Sequence, residues 1–467
     1  MYISPLHIYP GPWYARASII PYMYWLATGE LVHASKRIHE KYGPTVRLVP
    51  KKLSFTQSQA WFDIHGHRTK KRMRWFDKDP SVYLRRYNGV PSIVDADEQD
   101  HARFRRLLAN AFSEKALRDQ EPILQQYVNL LIFQLQKTVD GPQEGVLDLA
   151  KWINFTTFDI IGDLTFGHSF DCLESGEEHP WISLLPGAAR TMTYLLAFKH
   201  FPTFVYDIGL ILIQPFLSQR RQHAEFTIDQ VNIRLAQDID RKDFITPILK
   251  ANDEKGMTNP ELQSSINLLI TAGSETLATL LSGATYYLSC NRLVLKRLQE
   301  EVRSTFKSAE EVTMMSCQTL QYLHAVIEES LRIYPPASLA LGRIVPHGGS
   351  VINGKTVPAG TAVGISAWAA SHSKQNFVDP DAFMPERWLE DKRFEKDDKQ
   401  ASQPFSVGGR NCVGKNLAYA EMRLILTRLV LDFDFEIQEG SQDWIKQKLF
   451  TFWEKPPLFI KVSRVKY

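Results

Sequence analysis

The sequence predicts a mostly α fold of the α+β class, and three observations carry that prediction. Apolar residues recur at helical spacing through most of the 200 or so residues after Glu98, and short alternating runs read as strands towards both ends. No Gly/Ser-rich linker, repeat or compositional break divides the 467 residues. A chain of this length ordinarily splits into two or three cores. The unbroken pattern instead predicts one domain over residues 1–467.

The elements follow in order. Residues 33–44 carry an amphipathic helical pattern that stops at Gly43-Pro44, because proline disfavours helix at the residue before it. Residues 45–50 (TVRLVP) and 52–56 (KLSFT) alternate like two strands of a small sheet. Helical periodicity then appears over 99–117, 120–138, 149–164, 221–239, 260–290 and 292–307, and strand-like runs return at 340–364 and near 449–462. Residues 203–217 (TFVYDIGLILIQPFL) form an unusually apolar patch. It reads either as one more core helix or as a surface touching a membrane, and periodicity does not separate the two.

Composition narrows the classes. A net charge of +3 is too weak to argue for nucleic acid. Four irregularly spaced cysteines, Cys172, Cys290, Cys317 and Cys412, do not resemble a disulfide framework, which favours a reducing compartment. The best N-terminal apolar candidate, residues 17–27, falls short of the roughly 20 residues a spanning helix needs and contains Pro21. Pro5, Pro10 and Pro12 interrupt what precedes it, and there is no signal-peptide pattern.

The most informative string is Phe405-Ser-Val-Gly408-Gly-Arg410-Asn-Cys412-Val-Gly414, followed by a helix-forming run from Lys415. A lone cysteine is ordinarily a small buried hydrophobe. This one stands at the mouth of a long helix, where free N–H groups and the positive end of the dipole favour thiolate over thiol. Gly408 and Gly414 read as tight turns that let N–H groups approach the sulfur. A thiolate so held is a metal ligand and an electron donor to iron.

Two further strings stand in order around it. Ala272-Gly273-Ser-Glu275-Thr276 puts a glycine and an acid inside an apolar helix, where both are locally costly. Ala272 and Gly273 would let a flat cofactor approach the backbone. The Thr276 hydroxyl can bond back to the carbonyl four residues earlier and loosen the helix. Helix neighbours do not face one another, so Glu275 and Thr276 do not point at the same spot. The bland reading is a satisfied threonine and a paired glutamate. In Glu329-Ser-Leu-Arg332 an acid and a base share one helix face, which alone describes many surface helices. Tyr334-Pro335-Pro336 after it, and Phe383-Met-Pro385-Glu-Arg387-Trp388 before the cysteine, give it weight.

In this order the strings resemble the cytochromes P-450, over essentially the whole chain. The resemblance implies the mostly helical P-450 fold around haem b, with Cys412 as axial iron ligand in a loop that includes Phe405, Arg410 and Gly414. It implies Thr276 and Glu275 as the oxygen-activation and proton-delivery residues. Glu329, Arg332 and Arg387 become a buried network supporting the haem loop. His101, Arg105, Arg343 and Arg410 become partners of the haem propionates, which planar arginine suits. Arg103 and Arg106 fall off the face shared by His101 and Arg105. With Lys415 and Arg423 they read as a basic landing surface for an acidic electron donor or as plain solvated charge. Substrate contacts carry over to residues 87–93, Leu268, Ala272, 337–341 and 450–452. Two positions depart from the family: Leu277 replaces a second hydroxyl residue, and Gly409 stands where relatives commonly have proline.

Residues 101–113 (HARFRRLLANAFS) and 154–164 (NFTTFDIIGDL) are similar to fungal secondary-metabolism members of the trichothecene C-15 hydroxylase (isotrichodermin hydroxylase) type. The implied reaction inserts one oxygen atom from O2 into a C–H bond of a bulky, lipophilic terpenoid or polyketide-type molecule. The implied electron source is NADPH through NADPH–cytochrome P-450 reductase, with cytochrome b5 as a further donor. A monomer on the cytosolic face of the endoplasmic-reticulum membrane is expected. Fungal members usually carry an anchor just before a stretch like His7-Ile-Tyr-Pro-Gly-Pro12, so residues 1–30 are read as the approach segment after a missing anchor, truncated or absent. The same site could instead perform desaturation, epoxidation, coupling or multi-step oxidation. A non-catalytic haem-binding protein has no need of Glu275-Thr276. A nucleophilic Cys412 lacks a visible His or Asp partner.

Overall fold

The computed structural model describes residues 5–67, 76–83, 86, 89–201, 206–208, 211, 214–237, 239–252 and 256–465. The helices that build the site are α1 (Leu31–Tyr42), α2 (Glu98–Ala111), α3 (Glu114–Asp140), α4 (Leu149–Phe166) and α5 (Pro180–Phe198). They continue with α6 (Gln214–Ala236), α7 (Asn259–Cys290), α8 (Arg292–Thr305), α9 (Gln321–Ile333) and α10 (Lys415–Asp432). The helical body and small sheets match the mostly α expectation. Periodicity located α4, α7 and α8 to within about two residues, the usual uncertainty of helix ends.

The first helical boundary differs from the expectation. The chain turns at Phe112-Ser113, not between 117 and 120, because the Ser113 hydroxyl accepts a hydrogen bond from the Ala116 N–H at 3.2 Å and starts α3. Pro122 is carried inside that helix. The short helices Trp13–Ala17 and Ile20–Ala27 escaped the periodicity reading, and Pro21 sits in the first turn of the second, where proline is tolerated. No described helix is long and apolar enough to cross a membrane. The apolar patch at 203–217 falls largely outside the described residues; of its members that are described, Ile208 and Ile211 are exposed.

Helix α7 is the axis of the molecule. A capping box starts it: the Glu261 N–H donates to the Thr258 hydroxyl and the Thr258 N–H donates to the Glu261 carboxylate. It packs along α4, whose residues from Phe155 to Phe166 are buried on every side. The acidic residues of α4 are buried with partners: Asp159 accepts from the N–H groups of Phe170, Cys172 and Leu173, and Asp163 accepts from the Tyr127 hydroxyl.

A five-stranded sheet runs in the order β1 (Thr45–Val49), β2 (Lys52–Phe55), β8 (Ala362–Ile365), β5 (Arg343–Ile344), β3 (Asp77–Lys78). The pairing of β2 with β8 is parallel and joins segments about 300 residues apart, with Lys52 opposite Ala362. A second sheet places β10 (Phe459–Arg464) between β4 (Val146–Asp148) and β9 (Phe433–Ile437). The strand-like run near 449–462 thus forms strand only from Phe459; before it stands an isolated bridge between Leu449 and Trp453. β6 (Ser350–Ile352) and β7 (Lys355–Val357) form a hairpin.

Candidate functional site

A cavity of about 600 Å³ opens beside α7, closed by α5 and α6 on one side and by residues 337–341 and 403–406 on the other. One stripe of α7 lines it: Ser264, Asn267, Leu268, Thr271, Ala272 and Thr276. These residues recur three and four apart, so they share a face. Of the expected substrate contacts, Val90, Ser92, Leu268, Ala272, the whole run 337–341, Thr451 and Phe452 line it. Ile93 is buried in the core instead, and Tyr87 and Asn88 lie outside the described residues. Sequence reasoning missed the α5 contribution, including Leu185 and Met192, because an amphipathic face does not announce which neighbour it meets.

Cys412 lies on the loop entering α10. Its N–H donates to the Phe405 carbonyl at 2.9 Å, which folds the ten-residue string back on itself. Gly408 has φ +80°, and a Cβ there would stand 2.0 Å from the His65 carbonyl oxygen, so only glycine fits. Gly414 needs no such freedom. It caps α10 with φ −85°, and a Cβ would meet Phe112 at an ordinary 3.7 Å, which corrects the expectation of a second glycine-dependent turn. The Phe405 ring packs against Tyr419 with centroids 5.3 Å apart, and the Lys415 ammonium lies over both rings.

The Cys412 side chain is accessible although protein surrounds it. Burial pushes its thiol up, against the opposing pull of the Gly414 N–H, Arg105 and Lys415. The helix terminus therefore does not by itself win the thiolate expected from the sequence. Desolvation outweighs it, and a cation at the sulfur is what would remove the proton.

Five cationic or ionisable groups converge beside this loop. Arg105 donates to the Asn411 carbonyl and, at 2.7 Å, to its side-chain oxygen. Arg410 donates to the carbonyls of Ala96 at 3.2 Å and Asp97 at 2.8 Å, and Arg343 donates to the Tyr83 hydroxyl at 2.9 Å. Lys78, which sequence reading missed because nothing marks it locally, donates to the Val94 carbonyl at 2.5 Å and to that of Ala96. Burial, Arg410 and Arg343 bring Lys78 down to about 7. Burial and the same cations bring His101 down to about 4. Among the described residues, none of Arg105, Arg343, Arg410 and Lys78 forms an ion pair with a carboxylate. A cation-rich cluster of this kind fits a dianion, and a thiol beside it fits iron. The residues present therefore suit a porphyrin that carries two carboxylates.

Thr276 donates to the Ala272 carbonyl at 2.6 Å, as its spacing predicts. The helix is nevertheless unbroken from Asn259 to Cys290, so the bond does not open it. Gly273 does not face the cavity. A Cβ there would stand 2.9 Å from Ile161 Cδ1, the movable end of that side chain, so Gly273 packs towards α4 and Ala272 is the one of the pair that lines the cavity. Glu275 is buried and accepts from Lys455 Nζ at 2.8 Å, and the same ammonium donates to Thr279 at 2.9 Å. A partner 180 residues away could not be read from the sequence.

Glu329, Arg332 and Arg387 are all fully buried. Arg332 grips Glu329 with two bonds of 2.8 Å and spends its other donors on the carbonyls of Ser371, Pro380 and Ala382. Arg387 reaches the same carboxylate at 3.0 Å and also pairs with Asp397. Trp388 Nε1 and the Met384 N–H complete the coordination of Glu329 at 3.0 and 2.9 Å. Two guanidinium groups thus balance two carboxylates with their donors satisfied, the condition for keeping such charges buried. No local spacing marks Asp397 as a member of this network.

The suggested landing surface is altered. Arg103 is bound by Glu261 at 2.7 Å and Asp100 at 2.6 Å, so it ties α2 to the start of α7. Arg106 and Lys415 remain exposed, while Arg423 lies partly buried over the Tyr419 ring.

The cytochrome P450 family model matches residues 10–462. The cytochrome P450 monooxygenase lcsI of Purpureocillium lilacinum is 43% identical, across 100% of this chain and 91% of its own length. The cytochrome P450 monooxygenase aclL of Aspergillus oryzae is also 43% identical, across 100% of this chain and 95% of its own. Averantin hydroxylase of Dothistroma septosporum is 40% identical, across 99% of this chain and 87% of its own.

Proposed function

The chain belongs to the cytochrome P450 family, and from that premise we propose that it is a haem-thiolate monooxygenase hydroxylating a bulky lipophilic metabolite of secondary metabolism. The observation that supports this most directly is the juxtaposition of an accessible Cys412, an unpaired cation cluster and a largely apolar cavity running along α7. Haem bound there would supply oxygen activation, which is the cofactor's chemistry, while the protein supplies binding, orientation and electrostatics.

The chain's own residues then divide the work. Cys412 would bind the haem iron through its sulfur, its loop kept in place by the Phe405 carbonyl and the Gly408 turn. Arg105, Arg343, Arg410, Lys78 and a neutral His101 would hold the propionates, and Glu329, Arg332 and Arg387 would keep the loop rigid from behind. The Thr276 hydroxyl lines the cavity and would position the proton delivered to oxygen. Glu275 would be reached from outside only by exchange with Lys455. The apolar stripe would orient the substrate and exclude water.

Electrons would come from NADPH through a reductase docking beside the exposed Lys415. Exposed apolar residues on neighbouring helices, Ile20 and Tyr24 on one and Phe198 at the end of α5, would rest on a membrane surface such as that of the endoplasmic reticulum.

The test is the absorption spectrum of the dithionite-reduced protein with and without carbon monoxide, beside Cys412→Ser. A Soret band at the wavelength that names the family, lost in the variant, is expected. A band at the shorter wavelength of nitrogen- or thiol-ligated haem in well-folded protein would reject the thiolate assignment. No haem uptake would reject the reading altogether.

A further inference from the structure

One lobe of the cavity holds a cation with no carboxylate bound to it. Strand β2 borders this lobe, and the pleat sorts its side chains: Leu53 and Phe55 enter a hydrophobic core, while Lys52 and Ser54 line the cavity. Ser54 is already engaged, its hydroxyl 2.9 Å from His39 Nε2. Lys52 is 6% exposed, and among the described residues its ammonium forms no ion pair. Its bond to the Tyr22 hydroxyl is long, at 3.4 Å, and the ammonium stands 5.1 Å from the centre of the Tyr22 ring. An ammonium has three donors, so this one has capacity to spare.

His200 also lines the cavity there, half-buried, with its ring edge-on to Tyr22 and centroids 5.7 Å apart. Burial and Lys52 hold His200 below its ordinary value, with Lys199 adding to them and Asp79 opposing. Cations therefore outweigh the acid at this spot. Asp79 is turned elsewhere: one oxygen accepts from the Ser81 N–H at 2.9 Å and hydroxyl at 2.7 Å, and the other is buried without a partner. The cations acting on Lys78 and His101 include Arg410, Arg343, Arg105 and Arg86 but not Lys52, so this lobe is separate from the cluster beside Cys412. The remaining walls, Leu26, Leu31, Val32 and Leu48, are apolar. Neither β1, β2 nor the helix Ile20–Ala27 packs substantially on α7, which places the lobe at the end of the chamber remote from Thr276.

A charge withdrawn from water is unfavourable unless an opposite charge meets it. A single polar feature in an apolar surround is also the arrangement by which pockets orient a lipophilic ligand. We propose that Lys52, with the His200 ring as a second donor, binds a carboxylate carried by the substrate. The substrate implied is a lipophilic carboxylic acid whose acid group lies at the end remote from the carbon that is oxidised. Its apolar body would run from the Leu26–Leu48 walls towards Thr276. Lys52 is a specificity residue under this inference, since it touches substrate but not the reacting atoms. The inference rests on the monooxygenase reading above.

The test is isothermal titration of the purified haem-loaded protein with matched pairs, each a lipophilic acid and its methyl ester. Abietic acid with methyl abietate, and dodecanoic acid with methyl dodecanoate, are the probes. The native protein is expected to bind at least one acid about tenfold more tightly than its ester, the size of one charge-assisted bond. Lys52→Met, which keeps the apolar stem, should bring that pair to within twofold and leave the ester's affinity unchanged. Lys52→Arg should keep the preference, and His200→Phe should remove part of it. Lys52→Gln repeats the measurement should Lys52→Met lose haem. Absence of any tenfold pair in the native protein, or a preference that survives loss of the Lys52 charge, overturns the inference and leaves Lys52 as a lysine satisfied by Tyr22. Haem content measured on the same samples separates this failure from failure of the monooxygenase reading, which would show as protein that takes up no haem.

Discussion

At the scale of single residues, the positions that carry chemistry are those where local cost has a structural explanation. Thr276 sits mid-helix with its hydroxyl turned back to Ala272, so its role depends on how readily that bond is exchanged for one to a ligand or water. Thr276→Ala is expected to lower product formed per NADPH by roughly tenfold or more, with peroxide accounting for the lost electrons, while Thr276→Ser keeps most of the coupling. Simultaneous assay of NADPH, peroxide and product reads the split. Unchanged coupling in the alanine variant would remove Thr276 from proton delivery. Lys455 belongs to the same argument: freeing Glu275 by Lys455→Met leaves a buried carboxylate without its cation, so coupling should change in that variant too.

At the scale of elements, stability concentrates where α9 meets the segment from Ser371 to Asp397. Glu329 takes bonds from two arginines, an indole and a backbone N–H, all in a dry environment. Glu329→Gln keeps the shape but leaves two guanidinium groups with one carboxylate between them. A loss of about 3–5 kcal/mol is expected, together with weak haem retention. Chemical denaturation of the variant checks this, and a loss below about 1 kcal/mol would show that the network is not the scaffold of the loop. Element boundaries themselves were less legible than element types. The Ser113 cap was passed over because apolar spacing runs through it, and α5 was missed because Pro186 and small residues interrupt its pattern.

At the scale of the whole molecule, buried ionisable groups determine how stability responds to pH. Burial holds His39 down at about 4 and His372 at about 3, both from an ordinary 6.5. The unfolded chain then binds more protons than the folded one below 6.5, so stability is fully present above that pH and is lost as pH falls through the folded values. For His39 the difference amounts to about 3 kcal/mol. Glu421 has the opposite sign. Burial raises it from 4.5 to about 8, so its contribution is present below 4.5 and is lost as pH rises through 8. Thermal melts from pH 8.5 to 4.5 should therefore show Tm falling on the acid side. His39→Gln should flatten that limb, and Glu421→Gln should raise Tm progressively from about pH 4.5 upward, most of all near pH 8. A His39→Gln profile parallel to the native one would assign the acid limb to other groups.

The sequence by itself determined the fold class, the family and the local chemistry of the strings around Cys412, Thr276 and Glu329, because each depends on residues a few positions apart whose geometry a turn or a helix fixes. Period alone puts Leu268, Ala272 and Thr276 on one face of α7, and the tertiary structure decided that this face meets the cavity. Only the tertiary structure decided the rest. It put Lys78 among the arginines, gave Glu275 to Lys455 and Arg103 to Glu261, and turned Gly273 towards Ile161. Each of these joins residues more than 100 positions apart in the chain, or depends on what packs against a face. The energy of a buried charge depends on which groups surround it in space, and spacing along the chain carries no information about that.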